Sequence, residues 1–235
     1  MMNCRLLVLA PVLALVISTT VAGSDSDVRW VGTLHAVHQG DISAHVDLKD
    51  YAGRSTLVAV GPAAGGDGEV TILDGVLHLA RVRDGQVKAD SSFANNASLL
   101  VWADIGGWRP TVPLGVPVDS TAQLGERIGA LAKEAGVDTS KPFPVKIEGE
   151  FANIGYHVRV LADPAKAPEG QKVLDQPFSS AKSTAVLVGF YSTGHGGVFT
   201  HRGSVVHLHA IERSGGSGHL DAVTADGNVR ISFPK

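Results

Sequence analysis

Apolar and polar positions alternate with period two along much of the chain, and glycine-bearing turns break the alternation. In EVTIL-DG-VLHLARV, Asp74-Gly75 stands between two β-rich runs, the pairing expected of a two-residue type I′ turn. VLHLARVR-DG-QVKA repeats the device at Asp84-Gly85, so three antiparallel strands in a row are predicted. SLLVWADI, residues 98–105, predicts another strand. The period then changes. In VDSTAQLGERIGALAKEAG, Leu124, Ile128 and Leu131 recur at helical spacing. Asp119 or Ser120 can cap this helix, and Gly136 can close it. After Pro144 strand patterns return in VKIEGEF, YHVRVL, STAVLVGFYS, SVVHLHAIE, HLDAV and NVRISF. Strands, one main helix, then strands predict an α+β fold. The expected division is a sheet-plus-helix part over 23–150 and an all-β part over 151–235.

The first 22 residues read differently. MMNCR carries one positive charge, LLVLAPVLALVIS is apolar and TTVAG is small-residue, the order of a secretory signal peptide cleaved after Ala22 or Gly23. As a helix the apolar run would span about 20 Å, short of the roughly 30 Å of bilayer hydrocarbon. Cys4 precedes the apolar run, so it does not fit a lipoprotein cysteine. Cleavage removes Arg5 and the only cysteine, and takes the formal charge from -3 to -4. The expected product is a secreted or periplasmic protein held by packing rather than disulfides, with no membrane contact after cleavage. With 44% hydrophobic and 18% charged residues, the chain is neither disordered nor fibrous. It has no Lys/Arg cluster, which argues against a nucleic-acid partner.

VVHLHAIERSGGSGHLDAV, residues 205–223, carries the clearest chemistry. Residues i and i+2 of a strand share a face, so His207 and His209 project side by side, with Val205 and Ile211 on the same face. SGGSG connects to HLDAV, and His219 reaches the same face if the two strands pair. Three imidazoles with an open fourth position are the ligand set of a catalytic zinc, or of another divalent ion that accepts nitrogen. The competing interpretation is a histidine-rich surface hairpin, and spacing alone does not decide between the two. Glu212 falls on the opposite face. His35, His38 and His45 lack ligand spacing, and His78 sits in a strand pattern. His195 and His201, in STGHGGVFTHRGS, belong to a Gly-rich loop that can line a pocket mouth.

Several landmarks together resemble the α-acetolactate decarboxylase family: WVGTLHAVHQGDISAHVDLKDYAG, GDGEVTILDGVLHLARVRDGQV, SSFANNASLLVW, the helix followed by PFPVKIEGEF, and AVLVGFYS with the histidine stretch. The resemblance covers roughly residues 30–223 in unbroken order. It implies a zinc held by His207, His209 and His219, with Glu69 as an acid beside it. It implies a sheet domain joined to a smaller β-barrel-like domain with the metal between them, and a homodimer. The implied activity is that of a carbon–carbon lyase turning a small 2-hydroxy-3-oxo acid, acetolactate, into acetoin and CO₂. Two positions depart from the pattern. Where the family carries an arginine after its "IxGxF" strand, ungapped counting from Phe151 reaches His157. Arg159, two residues on and on the same face, is then the candidate for that role. The family also carries a glutamate in a C-terminal extension, and no glutamate follows Glu212 here. These departures keep a second expectation open, a non-catalytic protein binding metal and a small acid in the periplasm. H-x-H followed by Glu212 also resembles a cupin's first motif, but a cupin needs several more strands before its last histidine.

Overall fold

The computed structural model describes residues 27–163, 165–166 and 172–235; the leader and its cleavage site lie outside them. The first elements are β1 (Arg29–Val31), α1 (Leu34–His38), β2 (Val46–Asp47), β3 (Leu57–Pro62), β4 (Glu69–Leu73), β5 (Val76–Arg83), β6 (Gln86–Asp90), β7 (Asn96–Ala97) and β8 (Leu100–Asp104). After them come β9 (Val112–Pro113), α2 (Thr121–Glu134), β10 (Phe143–Leu161), β11 (Val173–Tyr191), β12 (Val206–Glu212), β13 (Ser217–Thr224) and β14 (Arg230–Ser232). One six-stranded sheet runs β1-β8-β3-β4-β5-β6, the other β11-β12-β13-β10-β14-β9, and β2 pairs with β7 alone. All strand pairings among the described residues are antiparallel. The class is α+β with one main helix, as expected.

Both Asp-Gly pairs form two-residue turns. Asp74 and Gly75 have φ of 50° and 76°, and Asp84 and Gly85 have 53° and 72°, the double positive φ that a type I′ turn needs. In α2 the Ser120 hydroxyl accepts the Gln123 N–H at 3.3 Å, and Gly136, at φ 72°, ends the helix. Leu124, Ile128 and Leu131 bury the helix face against Phe143, Val145, Tyr191 and Leu208 of the second sheet. A separate core joins the two sheets: Val58, Val60 and Val101 from the first, with Leu99 just before β8, meet Val188 and Phe190 from the second.

The second half departs from expectation in strand length and in its division. VKIEGEF and YHVRVL are one strand, β10, paired with β11 from Phe143↔Tyr191 to Leu161↔Val173. The expected boundary at 150/151 falls inside it, and β9 already belongs to the second sheet. β11 extends far upstream of STAVLVGFYS through a largely exposed stretch. There its second edge is unpaired, so Pro177 costs no ladder bond. The pairings β10–β11, β11–β12, β12–β13 and β13–β10 close a ring. This ring replaces a clear separate barrel. No helix among the described residues is long and apolar enough to cross a membrane.

Candidate metal centre

Three strands each present an i, i+2 pair to the space between the sheets: Glu69 and Thr71 on β4, His157 and Arg159 on β10, and His207 and His209 on β12. Strand register supplies the remaining ligand. His209 lies opposite His219 across β12–β13, and His219 lies opposite His157 across β13–β10. Three imidazoles therefore stand in a row on adjacent strands, with His207 one pleat along.

His207, His209 and His219 are 1%, 0% and 7% exposed. They can offer one nitrogen each, all within 4.8 Å of one another. Nitrogens bound to one tetrahedral zinc at about 2.0–2.1 Å lie roughly 3.4 Å apart, so small side-chain adjustments close the set on an ion. Thr71 Oγ1 lies 2.8 Å from His209 Nδ1. With Nδ1–H donating to Thr71, Nε2 is left with a free lone pair, the arrangement that orients a metal ligand. His209 Nε2 and both ring nitrogens of His207 are buried without a hydrogen-bond partner. An unmet buried polar group costs about 1–3 kcal/mol, and metal coordination would satisfy His209 Nε2 and one of the two His207 nitrogens. Burial holds His207 down at about 3. It also holds His209 and His219 well below the usual imidazole value, with neighbouring imidazoles adding to the effect. All three are neutral at physiological pH, the form that ligates. The donor set fits zinc or another nitrogen-accepting divalent ion.

Glu69 is 2% exposed. Its Oε2 lies 3.8 Å from His209 Nε2, and its Oε1 lies 3.8 Å from Arg159 Nε. Burial raises its carboxyl to about 7, against the opposing charges of His157 and Arg159. Arg159 also lies 3.6 Å from Asp175. His157 Nδ1 meets both Asp221 oxygens at 2.9 Å. Burial would lower the His157 pKa, but the Asp221 hydrogen bond and the charges of Glu69, Asp221 and Asp175 outweigh it and raise it. Asp221 reaches His157 through a break in register: Gly155 pairs with Ala222 and Tyr156 with Leu220. Asp221 is thus the extra residue of a β-bulge, which re-aims its side chain.

Solved structures share this fold. An α-acetolactate decarboxylase from Bacillus subtilis strain 168 superposes with a TM-score of 0.66 at 17% identity, over 89% of this chain and 86% of that one. The acetolactate decarboxylase of B. subtilis subspecies spizizenii gives 0.65 at 16% identity, with the same shares of the two chains covered. A Staphylococcus aureus protein of unknown function, similar to α-acetolactate decarboxylase, gives 0.63 at 16% over 88% and 84%. The fold is that of the α-acetolactate decarboxylases. No protein-family model and no curated protein matches the chain. At this identity the likeness carries the fold, and the chemistry rests on the residues themselves.

Within the acetolactate decarboxylase fold, the seven residues singled out in the sequence fall around one point. His207, His209 and His219 form the cluster, Glu69 and Arg159 face each other beside it, and His157 packs on His219 at 4.8 Å between ring centroids. His201 Nε2 lies 3.2 Å from His219 Nε2. Glu212 is buried elsewhere, accepting from Ser183 at 2.6 Å. Three contributors were missed. Thr71 stands two positions after Glu69, so strand alternation flags it, whereas Asp221 is aimed by a bulge that the partner strand defines. His38 stacks on His201 at 5.3 Å between ring centroids; it comes from α1, far away in sequence, and no local pattern reveals it.

Proposed function

We propose that the protein is a secreted, zinc-dependent carboxy-lyase that converts acetolactate to acetoin and CO₂. The observation that carries this reading is the convergence of three buried imidazoles with Glu69 in the space between the sheets of this fold. Export follows from the apolar leader expected over residues 1–22. Bound at His207, His209 and His219, zinc would supply Lewis acidity toward the ketone and hydroxyl oxygens of a 2-hydroxy-3-oxo acid. The remaining work belongs to side chains. Arg159 offers a fixed positive charge to the substrate carboxylate or to a developing oxyanion. Loss of CO₂ leaves its electron pair on the carbon skeleton as an enediolate. Burial disfavours the Glu69 anion and raises its carboxyl to about 7, so the acid form, which carries a proton, is well populated at neutral pH. Delivering that proton to one carbon face completes acetoin and makes the product chiral.

The test is to incubate the mature protein with acetolactate and zinc and to follow acetoin. Acetoin should form well above the rate with zinc alone. A rate no higher than that control rejects the activity and leaves the fold unaffected. Stoichiometric zinc with calorimetric acetoin binding and no turnover would identify a binding protein instead.

A further inference from the structure

We propose that His201 is a fourth histidine of the metal centre, closing the ion's remaining position in the resting protein. The inference rests on the metal-centre reading above and adds a ligand from outside the strands. His201 Nε2 stands 3.2 Å from His219 Nε2, close to the roughly 3.4 Å between two nitrogens sharing a tetrahedral zinc. His201 lies outside the trio whose donor atoms are all within 4.8 Å and touches it through His219. The proposal requires its side chain to turn toward His207 and His209. His201 opens a turn in which its carbonyl accepts the Ser204 N–H at 3.0 Å, and Ser204 in turn holds the start of β12 through Val206.

The surroundings are built for that ring. One face stacks on His38 at 5.3 Å and 26°. The His219 ring meets it edge-on at 5.0 Å and 83°. α1, which carries His38, is pinned to the loop that carries His201: Leu34 N–H donates to the Val198 carbonyl at 2.7 Å and His35 N–H to that of Gly197 at 3.0 Å. A cavity of about 290 Å³ reaches His201 and His219 from the side of β12 that carries Val206 and Leu208, with Thr121, Ser204 and Asp221 also lining it. The three strand histidines are buried between the sheets, which restricts their side chains. A histidine on a turn can be displaced by an incoming oxygen ligand and leave both sheets intact.

X-ray absorption of the zinc-loaded full chain counts imidazole ligands, and chelator competition measures affinity. Four imidazoles are expected in the native protein and three in His201→Ala and His201→Phe. Both variants should bind zinc about tenfold more weakly, or worse. The phenylalanine keeps the ring contact with His38 but supplies no nitrogen, so its loss of affinity separates ligation from packing. Three imidazoles in the native protein overturn the proposal, even if the variants bind more weakly, because His201 would then act only through its hydrogen bond to His219. Unchanged affinity in His201→Phe overturns it as well. Failure of the decarboxylase reading looks different: no acetoin is formed while the imidazole count stays at four. A native protein that binds no zinc removes the whole metal centre.

Discussion

The site's chemistry at the residue scale depends on Glu69. Its carboxyl is raised because it is buried, and the nearby charges of His157 and Arg159 only partly offset that. A glutamine of the same shape keeps a polar group beside Arg159 but has no acid proton to give. Glu69→Gln should lower kcat by about 10²–10⁴-fold, the usual worth of a positioned proton donor. Zinc content should stay stoichiometric, because the three imidazoles keep their places. Acetoin formation and elemental analysis on one preparation check both halves. A variant that keeps full activity would show that the proton comes from elsewhere, and one that loses zinc would make Glu69 a ligand. The sequence places Glu69 only at the opening of a strand. What distinguishes it, burial beneath a second sheet, is a property of residues far away in sequence, such as Arg159 and His209.

Among elements, the legible ones carry their instructions locally. Asp74-Gly75 and Asp84-Gly85 specify their turns by the φ they tolerate, and α2 announces itself by spacing and a Ser120 cap. The alternation that puts His207 and His209 on one face is equally local. β10 and β11 were read short because a strand segment with one unpaired edge and exposed side chains has little need for apolar residues, as Asp175, Gln176 and Ser179 show. The β-bulge at Asp221 was invisible because it is defined by the partner strand. Register also sets a tight constraint at Gly189 of β11, which faces Leu208. A Cβ there would sit 2.0 Å from the His207 carbonyl oxygen and 2.9 Å from the Leu208 Cα. Both are backbone atoms and cannot swing aside. Gly189→Ala should therefore push β12 off β11 at the first metal ligand. The expected cost is about 1–3 kcal/mol of stability, together with weakened zinc binding. Denaturant unfolding and chelator titration measure the two effects; a variant as stable and as tight as the native protein would mean that β11 and β12 are not in this register.

Across the whole molecule, two sheets close over imidazoles that the native state keeps neutral. His207 titrates at about 3 in the native state, and His209 and His219 lie well below the usual value, whereas all three titrate near 6.5 once unfolded. Below pH 6.5 the metal-free unfolded chain therefore takes up protons that the native protein refuses. Stability falls as pH falls, by up to about 1.4 kcal/mol per pH unit for each such group. Glu69 works the other way. Its folded value, about 7, lies above its unfolded value, so between about 7 and about 4.3 the native state holds the extra proton and offsets one imidazole of the three. Below that window the offset is exhausted, while His207 goes on refusing its proton down to about 3. The metal-free protein should thus lose thermal stability gradually from pH 6.5 and more steeply below about 4.3. Zinc should raise the midpoint at pH 7, adding about 2.7 kcal/mol of stability when free metal is a hundredfold above Kd. That gain should hold while the native imidazoles stay neutral and shrink only as the pH nears the values at which they take up protons, about 3 for His207. Thermal unfolding with chelator and with zinc, from pH 7.5 down to 3.5, reads both curves. Equal metal-free stability at pH 7 and pH 4 would show that the three histidines are open to water, and a closed pair of sheets over the cluster would then be the wrong description of the fold's centre.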